Sequence, residues 1–291
     1  MRYFVAILGK FFAKLVILLP RRAQFWIGDL LGLLWFDVLR IRRQVVLDNL
    51  LIAFPEMNLQ DRTSLGRRSV RNMCRNIVDY CYFHVLPEGD YSHLFKIEGL
   101  ENLEKAQEKN LGVCMLSMHL GNGDNAAAGL ALAGQPVVII SKEFKVRWLN
   151  DMWFGMRARL GTEFIPPRNS SFAVLKALKR NKNVVFVNDQ FMGPPVGVRS
   201  TFFGKETGSA MGLAVMAQRS GSPIIPVSTY RRDDGVTVIV LDPEIPFEEK
   251  GSKEETILHM TQVFDHWTEK KVRQHPDQWM WVHRRWKEFH E

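Results

Sequence analysis

From residue 111 onward, short apolar runs alternate with stretches of helical periodicity. The apolar runs predict strands at Gly112–Ser117, Pro136–Ile140, Val184–Val187, Ile224–Val227 and Val236–Leu241. The stretches between them predict helices at Asp124–Ala133, Arg147–Leu160, Phe172–Arg180 and Ala210–Arg219, and a last helix over roughly Lys253–Arg273. Residues 59–86 predict one more helix. Strands that alternate with helices of this length indicate an α/β fold with a central, mostly parallel sheet flanked by helices.

The N-terminal region has a different pattern, with two long apolar runs at Phe4–Leu19 and Trp26–Leu39. Each run is interrupted by two charges, which are Lys10 and Lys14 in the first and Asp29 and Asp37 in the second. Both are shorter than the ~20 clean apolar residues of a spanning helix. Two interpretations stay open: core helices, or a membrane-attached segment that inserts at a tilt or lies in the interface. We expect residues 1–45 to be the membrane-anchoring segment and residues 46–291 to form a single α/β domain.

Composition and charge narrow the class of protein. The chain has 291 residues, of which 46% are hydrophobic and 24% charged, which excludes intrinsic disorder. Three cysteines are too few for a disulfide scaffold and fit a reducing compartment. The net charge of +8 is concentrated in residues 1–50 and 270–291. A nucleic-acid-binding domain would more often carry a basic stripe through its folded body. Basic residues beside Phe, Trp and Leu favour an anionic membrane surface, with the folded body on the cytoplasmic side.

The segment Val113–Ala128 carries the most chemistry. A buried-looking strand ends at His119, and Asp124 stands where the next helix begins. Residues five apart on a helix point about 140° away from each other, so the two side chains meet only if His119 precedes the helix. The intervening Gly121-Asn122-Gly123 makes that turn possible. The pattern predicts His119 as a general base whose ring Asp124 orients.

Other interpretations of this segment remain. Gly121-x-Gly123-x-x-Ala126 follows a strand and opens a helix, and Glu143 lies 20 residues after Gly123, as in a dinucleotide-binding fingerprint of an oxidoreductase. His119 could also be a strand-end histidine that bonds only to backbone. No pairing of His and Cys suggests a metal site. No Gly-x-Ser-x-Gly elbow and no Walker loop occurs, so serine hydrolases and P-loop proteins have no support.

Several stretches, in order, resemble the lipid A biosynthesis acyltransferases of the H-x-x-x-x-D/E glycerolipid acyltransferase superfamily. They are Asn49-Leu50 with Ala53–Glu56, His119 with Asp124, Asp189-Gln190, Gly193 with Phe202–Gly204, Gly212–Val227, and His275–Trp279 with His283–Trp286. The resemblance extends over almost the whole chain. Two stretches depart from the family pattern, the glycine-rich Leu120–Gly123 and Glu206-Thr207-Gly208.

The resemblance implies transfer of a fatty acyl group from a thioester to a hydroxyl of a lipid A precursor, at the cytoplasmic face of a bacterial inner membrane. The donor it implies is acyl carrier protein, or acyl-CoA, and no cofactor is needed. Acyl carrier protein is acidic, so arginines at 67–75 could receive it. The alternatives left open are another membrane lipid as acceptor, the nucleotide-dependent oxidoreductase, and a membrane-binding module without activity.

The resemblance also implies roles for individual residues. The catalytic candidates are His119, Asp124, Arg157, Arg159 and Asp189; either Arg157 or Arg159 would stabilise the oxyanion together with backbone amides near Gly121–Gly123. The substrate-binding candidates are Gly121, Asn122, Gly123, Arg168, Gln190, Gly204 and Thr207, with Arg168 facing a phosphate of the acceptor.

The C-terminal tryptophans allow two interpretations. Trp279, Trp281 and Trp286 lie among Arg284, Arg285 and Lys287. They predict either a belt at the membrane interface or an aromatic core patch covered by arginine stems.

Overall fold

The five strands predicted from the apolar runs lie in a seven-stranded sheet in a computed structural model that describes residues 2–84, 86, 92–143 and 145–290. The strands are β1 Phe95–Glu98, β2 Val113–Ser117, β3 Val137–Ile140, β4 Glu163–Ile165, β5 Asn183–Val187, β6 Gly197–Phe202, β7 Lys205–Ala210, β8 Ile224–Arg231 and β9 Thr237–Leu241. The helices are α1 Arg2–Leu18, α2 Arg21–Leu33, α3 Arg43–Ala53, α4 Leu59–Asp79, α5 Leu100–Gln107, α6 Gly123–Leu132, α7 Arg147–Ala158, α8 Ser170–Leu178, α9 Gly212–Ser220 and α10 Lys253–Gln274.

Seven of the nine strands form the main sheet, in the order β1-β9-β8-β2-β5-β3-β4, and β6 and β7 pair antiparallel as a separate two-stranded sheet. Strands β8, β2, β5, β3 and β4 are mutually parallel, whereas β9 pairs antiparallel with β8, and β1 pairs parallel with β9. The central strands β2 and β5 are apolar along most of their length because helices cover both faces of the sheet. The predicted α/β class with a mostly parallel, helix-flanked sheet is confirmed.

Alternate residues of β2 supply the two layers of the core. Leu116 packs on one face with side chains of α8, α9 and α10, and Met115 packs on the other with side chains of α5 and α6. The carboxyl ends of the parallel strands lie at one edge of the sheet, where ligand sites of such sheets form.

The hairpin of β6 and β7 was not predicted, because its buried positions are polar. Ser200, Thr207 and Ser209 are buried, so the pattern of hydrophobic positions gives no strand signal here. Phe203 and Gly204 form its two-residue turn with φ of 51° and 73°. The short elements α3, β1, α5 and β4 were also missed, and the helix predicted over 59–86 ends at Asp79 and continues as a 3₁₀ turn, Tyr80–His84. Val85, the next residue of that prediction, lies outside the described residues.

The two acids that interrupt the second apolar run are ion-paired to α4. Arg75 Nε and Nη2 donate to the two carboxylate oxygens of Asp29, each at 2.7 Å, and Arg67 grips Asp37 in the same way at 2.8 Å. The Arg67 guanidinium holds the pKa of Asp37 below its usual range. Among the residues that the structure describes, no helix has both the length and the apolar character to cross a bilayer.

Two glycines allow α2 to approach α4 at backbone contact. A Cβ at Gly28 would lie 2.8 Å from Arg75 Cα, and one at Gly32 would lie 2.7 Å from Arg71 Cα. The close approach brings the arginines within reach of Asp29 and Asp37. Residues spaced four apart on a helix share a face, so the glycines form one contact stripe.

The C-terminal tryptophans do not all form an exposed belt. Trp279 and Trp281 are 2% and 0% exposed and pack with Phe202, and Trp286 is partly buried against the same cluster. The core-patch interpretation is right and the interfacial-belt interpretation is wrong, because the rings pack edge to face against one another in the interior. Arg285 is itself fully buried among them.

We predict that Gly28→Ala lowers the free energy of unfolding by about 1–3 kcal/mol, because the added methyl overlaps α4 backbone that cannot move aside. Chemical denaturation measures the change. Gly155→Ala in α7 is the matched control, since a Cβ there meets nothing within 4 Å. The control is expected to be neutral or slightly stabilising. Equal stability of both variants would contradict the close α2–α4 contact.

Candidate active site

The loop between β2 and α6 presents His119 before the helix begins, as the sequence predicted. Asn122 is the N-cap of α6, and its Oδ1 accepts the Asn125 amide at 3.2 Å. Gly121 has φ of 61°, and a Cβ there would lie 2.5 Å from the Thr229 carbonyl oxygen, so a larger residue would displace the loop. Asp124 falls in the first turn of the helix, where the macrodipole favours a carboxylate.

The carboxylate that contacts the His119 ring belongs to Asp189. Because Ser117 of β2 pairs with Val187 of β5, two further residues along each strand bring His119 beside Asp189. Asp189 Oδ1 lies 2.8 Å from His119 Nδ1, and Asp189 Oδ2 accepts the His119 backbone amide at 2.9 Å. Trp279 Nε1 donates to the same Oδ2 at 2.7 Å. The carboxylate is thus held from three directions.

Asp124 does not orient the ring, contrary to our expectation. Arg157 holds it, with Nε 2.6 Å and Nη2 2.5 Å from Asp124 Oδ1. The reason is positional, since the first turn of α6 faces α7, whereas the end of β5 faces the ring. Tyr80 also hydrogen bonds to Asp124, and burial, followed by the Asp124 charge, raises the pKa of its phenol. Arg157 is only 5% exposed and stacks 3.9 Å from the Trp153 ring centroid.

The electrostatics of the pair favour a charged histidine more than free imidazole does. Burial lowers the pKa of His119, but Asp189 and then Asp124 outweigh it, and the net pKa is raised above its usual value. Burial raises the pKa of Asp189, but His119 and the N–H donors outweigh that effect, and the carboxyl stays below its usual range. His119 is 37% exposed as a side chain and Asp189 is 2% exposed. The ring therefore keeps an open side while its partner is enclosed.

The open side carries the second ring nitrogen. Gln190 Nε2 lies 3.5 Å from His119 Nε2, so the amide borders the nitrogen that faces outward. A histidine with Nδ1 fixed by a carboxylate and Nε2 accessible can accept a proton from a hydroxyl.

The backbone around the loop is held by hydrogen bonds to α4 and to the C-terminal segment. Gly121 donates its amide to the Gln278 carbonyl at 3.0 Å, and its carbonyl accepts from Asn76 Nδ2 at 2.5 Å. The Gly121 amide is therefore not free to act as an oxyanion donor, as we had expected of the Gly121–Gly123 amides. Buried Asp79 Oδ2 accepts from Asn122 Nδ2 at 3.4 Å. Gln278 lies in the family-like stretch His275–Trp279, whereas Asn76 and Asp79 belong to no motif in the sequence.

The remaining candidate residues occupy several places. Arg159 ends α7, and its Nη2 donates to the Phe83 carbonyl at 3.2 Å, so Arg157 is the arginine at Asp124. Arg168 is exposed after β4, at the sheet edge that also carries His119. Gly204 forms the β6–β7 turn. Thr207 is 0% exposed, and its hydroxyl donates to the Arg285 carbonyl at 2.8 Å.

Within the described residues, no group of three or more His, Cys, Asp or Glu side chains could hold a metal ion.

Comparison with known proteins bears on the reaction. Residues 1–288 match the model of the family described as bacterial lipid A biosynthesis acyltransferase. The chain is 26% identical to a lipid A biosynthesis lauroyltransferase and 24% identical to a lipid A biosynthesis palmitoleoyltransferase, both from Escherichia coli (strain K12). Each alignment covers 98% of this chain and 92% of the relative.

A more distant similarity covers part of the chain. A phosphatidylinositol mannoside acyltransferase of Mycobacterium tuberculosis (strain ATCC 25618 / H37Rv) is 28% identical over 137 residues, which are 46% of this chain and 43% of that protein. The family match over nearly the whole length decides the assignment. The chain belongs to the bacterial lipid A biosynthesis acyltransferase family, and it is an enzyme that transfers acyl groups.

Proposed function

We propose that this enzyme moves a fatty acyl chain from the thioester of acyl carrier protein to a hydroxyl of a lipid A precursor, with His119 as the general base. The observation that carries the proposal is the Asp189-held His119 ring, whose Nε2 faces the open side of the sheet edge. The similarity to lauroyl and palmitoleoyl transferases of lipid A supports the acceptor class. The family assignment and the engaged Gly121 amide argue against a nucleotide-dependent oxidoreductase.

The proposed reaction needs no cofactor, because it consists only of proton transfers and the exchange of a thioester for an ester. His119 Nε2 takes the proton of the acceptor hydroxyl while that oxygen attacks the thioester carbonyl carbon. The tetrahedral intermediate then collapses, the carbon–sulfur bond breaks, and the proton passes from Nε2 to the departing thiolate. Asp189 accepts from Nδ1–H throughout, which fixes the tautomer and stabilises the imidazolium. The products are an ester and a free thiol.

In this proposal Asp124 and Arg157 supply charge beside the reacting atoms. Asp124 adds to the field that favours protonated His119. Arg157 brings a guanidinium, almost free of water, to the first turn of α6. Positive charge preorganised near a developing oxyanion is worth more in a dry site than in water. Tyr80 and Trp153 hold this ion pair in place.

The start of α6 offers two amides for the oxyanion. The first amides of a helix have no intrahelical acceptor, and Asn122 takes the Asn125 amide. The amides of Gly123 and Asp124 come before it, and Gly123 has no side chain to cover them. A Cβ at Gly123 would meet nothing within 4 Å, so a ligand could approach this backbone. We assign the oxyanion hole to these two amides together with Arg157.

Exposed arginines and Gln190 are the groups proposed to recognise the substrates. Arg67 and Arg75 are ion-paired, so the docking surface predicted at residues 67–75 has two of its four arginines engaged. Arg168 stays exposed at the sheet edge that carries His119 and is proposed to bind an acceptor phosphate. Gln190 is proposed to contact the acceptor hydroxyl, since it borders His119 Nε2.

The first 45 residues are proposed to attach the enzyme to the cytoplasmic face of the inner membrane. Large apolar side chains of α1 and α2 are exposed, among them Phe11, Leu18, Trp26 and Leu30 at 61%, 79%, 76% and 60%. Contiguous exposed apolar surface of this kind marks a membrane or protein contact. Exposed Arg22, Arg40 and Arg42 follow in the same region and would meet anionic headgroups.

We expect His119→Ala to lower acyl transfer by a hundredfold or more, the contribution typical of general base catalysis. Mass spectrometry of the lipid product, with acyl carrier protein thioester and a lipid A precursor, measures it. His266→Ala, which alters an exposed side chain of α10, is the matched control and should keep wild-type turnover. A folded His119→Ala enzyme with full turnover would exclude the general base. Equal use of acyl-CoA would contradict the proposed donor, and acylation of other lipids alone would contradict the acceptor.

Membrane attachment is tested by substituting Phe11, Leu18, Trp26 and Leu30 together by serine. The variant should lose most binding to vesicles of phosphatidylethanolamine and phosphatidylglycerol, because each buried apolar side chain contributes about 1.5–3 kcal/mol. The control is Phe172→Ser, which removes an equally exposed side chain from α8. Retained binding of the quadruple variant, or release of the wild-type protein by salt alone, would contradict the apolar contact.

A further inference from the structure

Residues 275–286 form a C-terminal segment that hydrogen bonds to the loop carrying His119. Met280 donates its amide to the His119 carbonyl at 3.1 Å, and Gly121 donates to the Gln278 carbonyl at 3.0 Å. Leu120 thereby pairs with Trp279 as in an antiparallel bridge. The histidine loop and the C-terminal segment are therefore one hydrogen-bonded unit, although about 160 residues separate them in sequence.

The indole of Trp279 completes that unit at the Asp189 carboxylate. It is 2% exposed, and its Nε1 lies 2.7 Å from Asp189 Oδ2, the oxygen that also accepts the His119 amide. The other oxygen, Oδ1, is left for the ring at 2.8 Å. An indole N–H only donates, so it cannot compete with Asp189 for the ring proton.

We propose that Trp279 is a positioning residue for the reaction, whose indole N–H holds Asp189 so that Oδ1 faces His119 Nδ1. The inference rests on the function proposed above for His119. Without the indole, a single backbone amide would hold Oδ2, and the carboxylate could turn about its side-chain torsions. A misplacement well below 1 Å in a catalytic pair lowers the rate, which is why such pairs need support from a surrounding layer.

The position of Trp279 is fixed from both sides. Ser69 Oγ donates to the Trp279 carbonyl at 2.7 Å, which ties the segment to α4. Further along, buried Arg285 donates to the Gly208 carbonyl at 2.6 Å and to Asp265 Oδ1 at 3.3 Å. These bonds tie the segment to β7 and α10. The indole is thus carried by a backbone that three elements hold.

Trp281 is a second buried tryptophan of this segment, and its N–H does not bond to the Asp189 carboxylate. It is 0% exposed, and its ring centroid lies 4.6 Å from that of Trp279. Its Nε1 donates to the Pro276 carbonyl at 2.7 Å, within its own segment. The two tryptophans therefore share burial and packing but differ in the acceptor of the N–H, which makes Trp281 the matched control.

Charged groups face the His119–Asp189 pair from two elements. Asp124 faces His119 from α6, and His283 and Arg285 face Asp189 from the C-terminal segment. None of them is altered when the indole N–H is removed. The carboxylate would then turn away from Nδ1, its stabilisation of the charged ring would weaken, and the pKa of His119 would fall.

The experiment uses the full-length enzyme with 3-benzothienylalanine at position 279, which keeps the ring shape and replaces N–H by sulfur. Trp279→Phe is a second variant, and the same two changes at position 281 are controls. We expect kcat at position 279 to fall about tenfold with the KM of both substrates nearly unchanged, because Trp279 is buried away from them. We expect the NMR-detected pKa of His119 to fall, and its Nδ1–H resonance to shift, in the position-279 variants alone.

The outcomes separate this inference from the proposed function. If His119→Ala abolishes transfer but the position-279 variants keep wild-type kcat, pKa and Nδ1–H resonance, Trp279 is only a core residue and the inference is wrong. Equal losses at positions 279 and 281 would likewise mean packing alone. If His119→Ala retains full transfer, the proposed function fails; the NMR comparison still decides whether the indole sets the pair.

Discussion

The hydrogen bond between His119 Nδ1 and Asp189 Oδ1 is the interaction on which the site depends. It forms because β2 and β5 are parallel neighbours in which Ser117 pairs with Val187. His119 and Asp189 each follow two residues later, so they lie side by side beyond the ends of the two strands. Buried strands in the centre of a sheet shift little, so the two side chains meet on a rigid base. A one-residue slip would turn one of them to the opposite face of the sheet. The sheet register is thus a constraint on the chemistry as well as on the core.

Buried charges connect the periphery of the molecule to this base. Asp79, at the end of α4, is ion-paired with Arg231 of β8 and with Arg21 of α2. Asp265 and Arg285 form a second enclosed pair between α10 and the C-terminal segment. Removing one partner of such a pair leaves an uncompensated charge, which typically costs about 3–5 kcal/mol. The N-terminal helices and the C-terminal segment are thereby integrated with the loop that carries His119.

The parts that sequence predicts well are those with a repeating pattern. The prediction came within two residues for the strands at 113–117 and 183–187 and for the helix at 253–274. The spacing of apolar residues along the chain distinguishes such a strand from such a helix. The position of His119 before α6 was also predicted, because the strand was expected to end at Ser117 and the helix to begin at Asp124. Polar strands facing a buried arginine, such as β6 and β7, have no hydrophobic alternation and were missed. Acids in an apolar run have no visible partner in sequence, so the pairing of Asp29 and Asp37 with α4 was missed too.

The partner of His119 was beyond sequence reasoning for a different reason. Asp124 is five residues away and Asp189 is 70 residues away, and spacing favours the nearer one. Only the strand order, which places β5 beside β2 although β3 and β4 intervene in sequence, brings Asp189 to the ring. Both carboxylates were candidates, and the roles were assigned by proximity along the chain. Trp279 and Tyr80 belong to the same class of contact, since their partners lie on elements distant in sequence.

The pKa of His119 in the Asp189→Asn and Asp124→Asn enzymes, measured by NMR titration, tests the central claim most directly. Burial lowers this pKa and Asp189 opposes burial most strongly, so Asp189→Asn should bring the pKa below that of the wild-type enzyme. The neutral, base-competent form would then persist to lower pH. Asp124→Asn should lower the pKa by a smaller amount, because Asp124 acts only through space. An unchanged pKa in Asp189→Asn, or a larger fall in Asp124→Asn, would contradict the account.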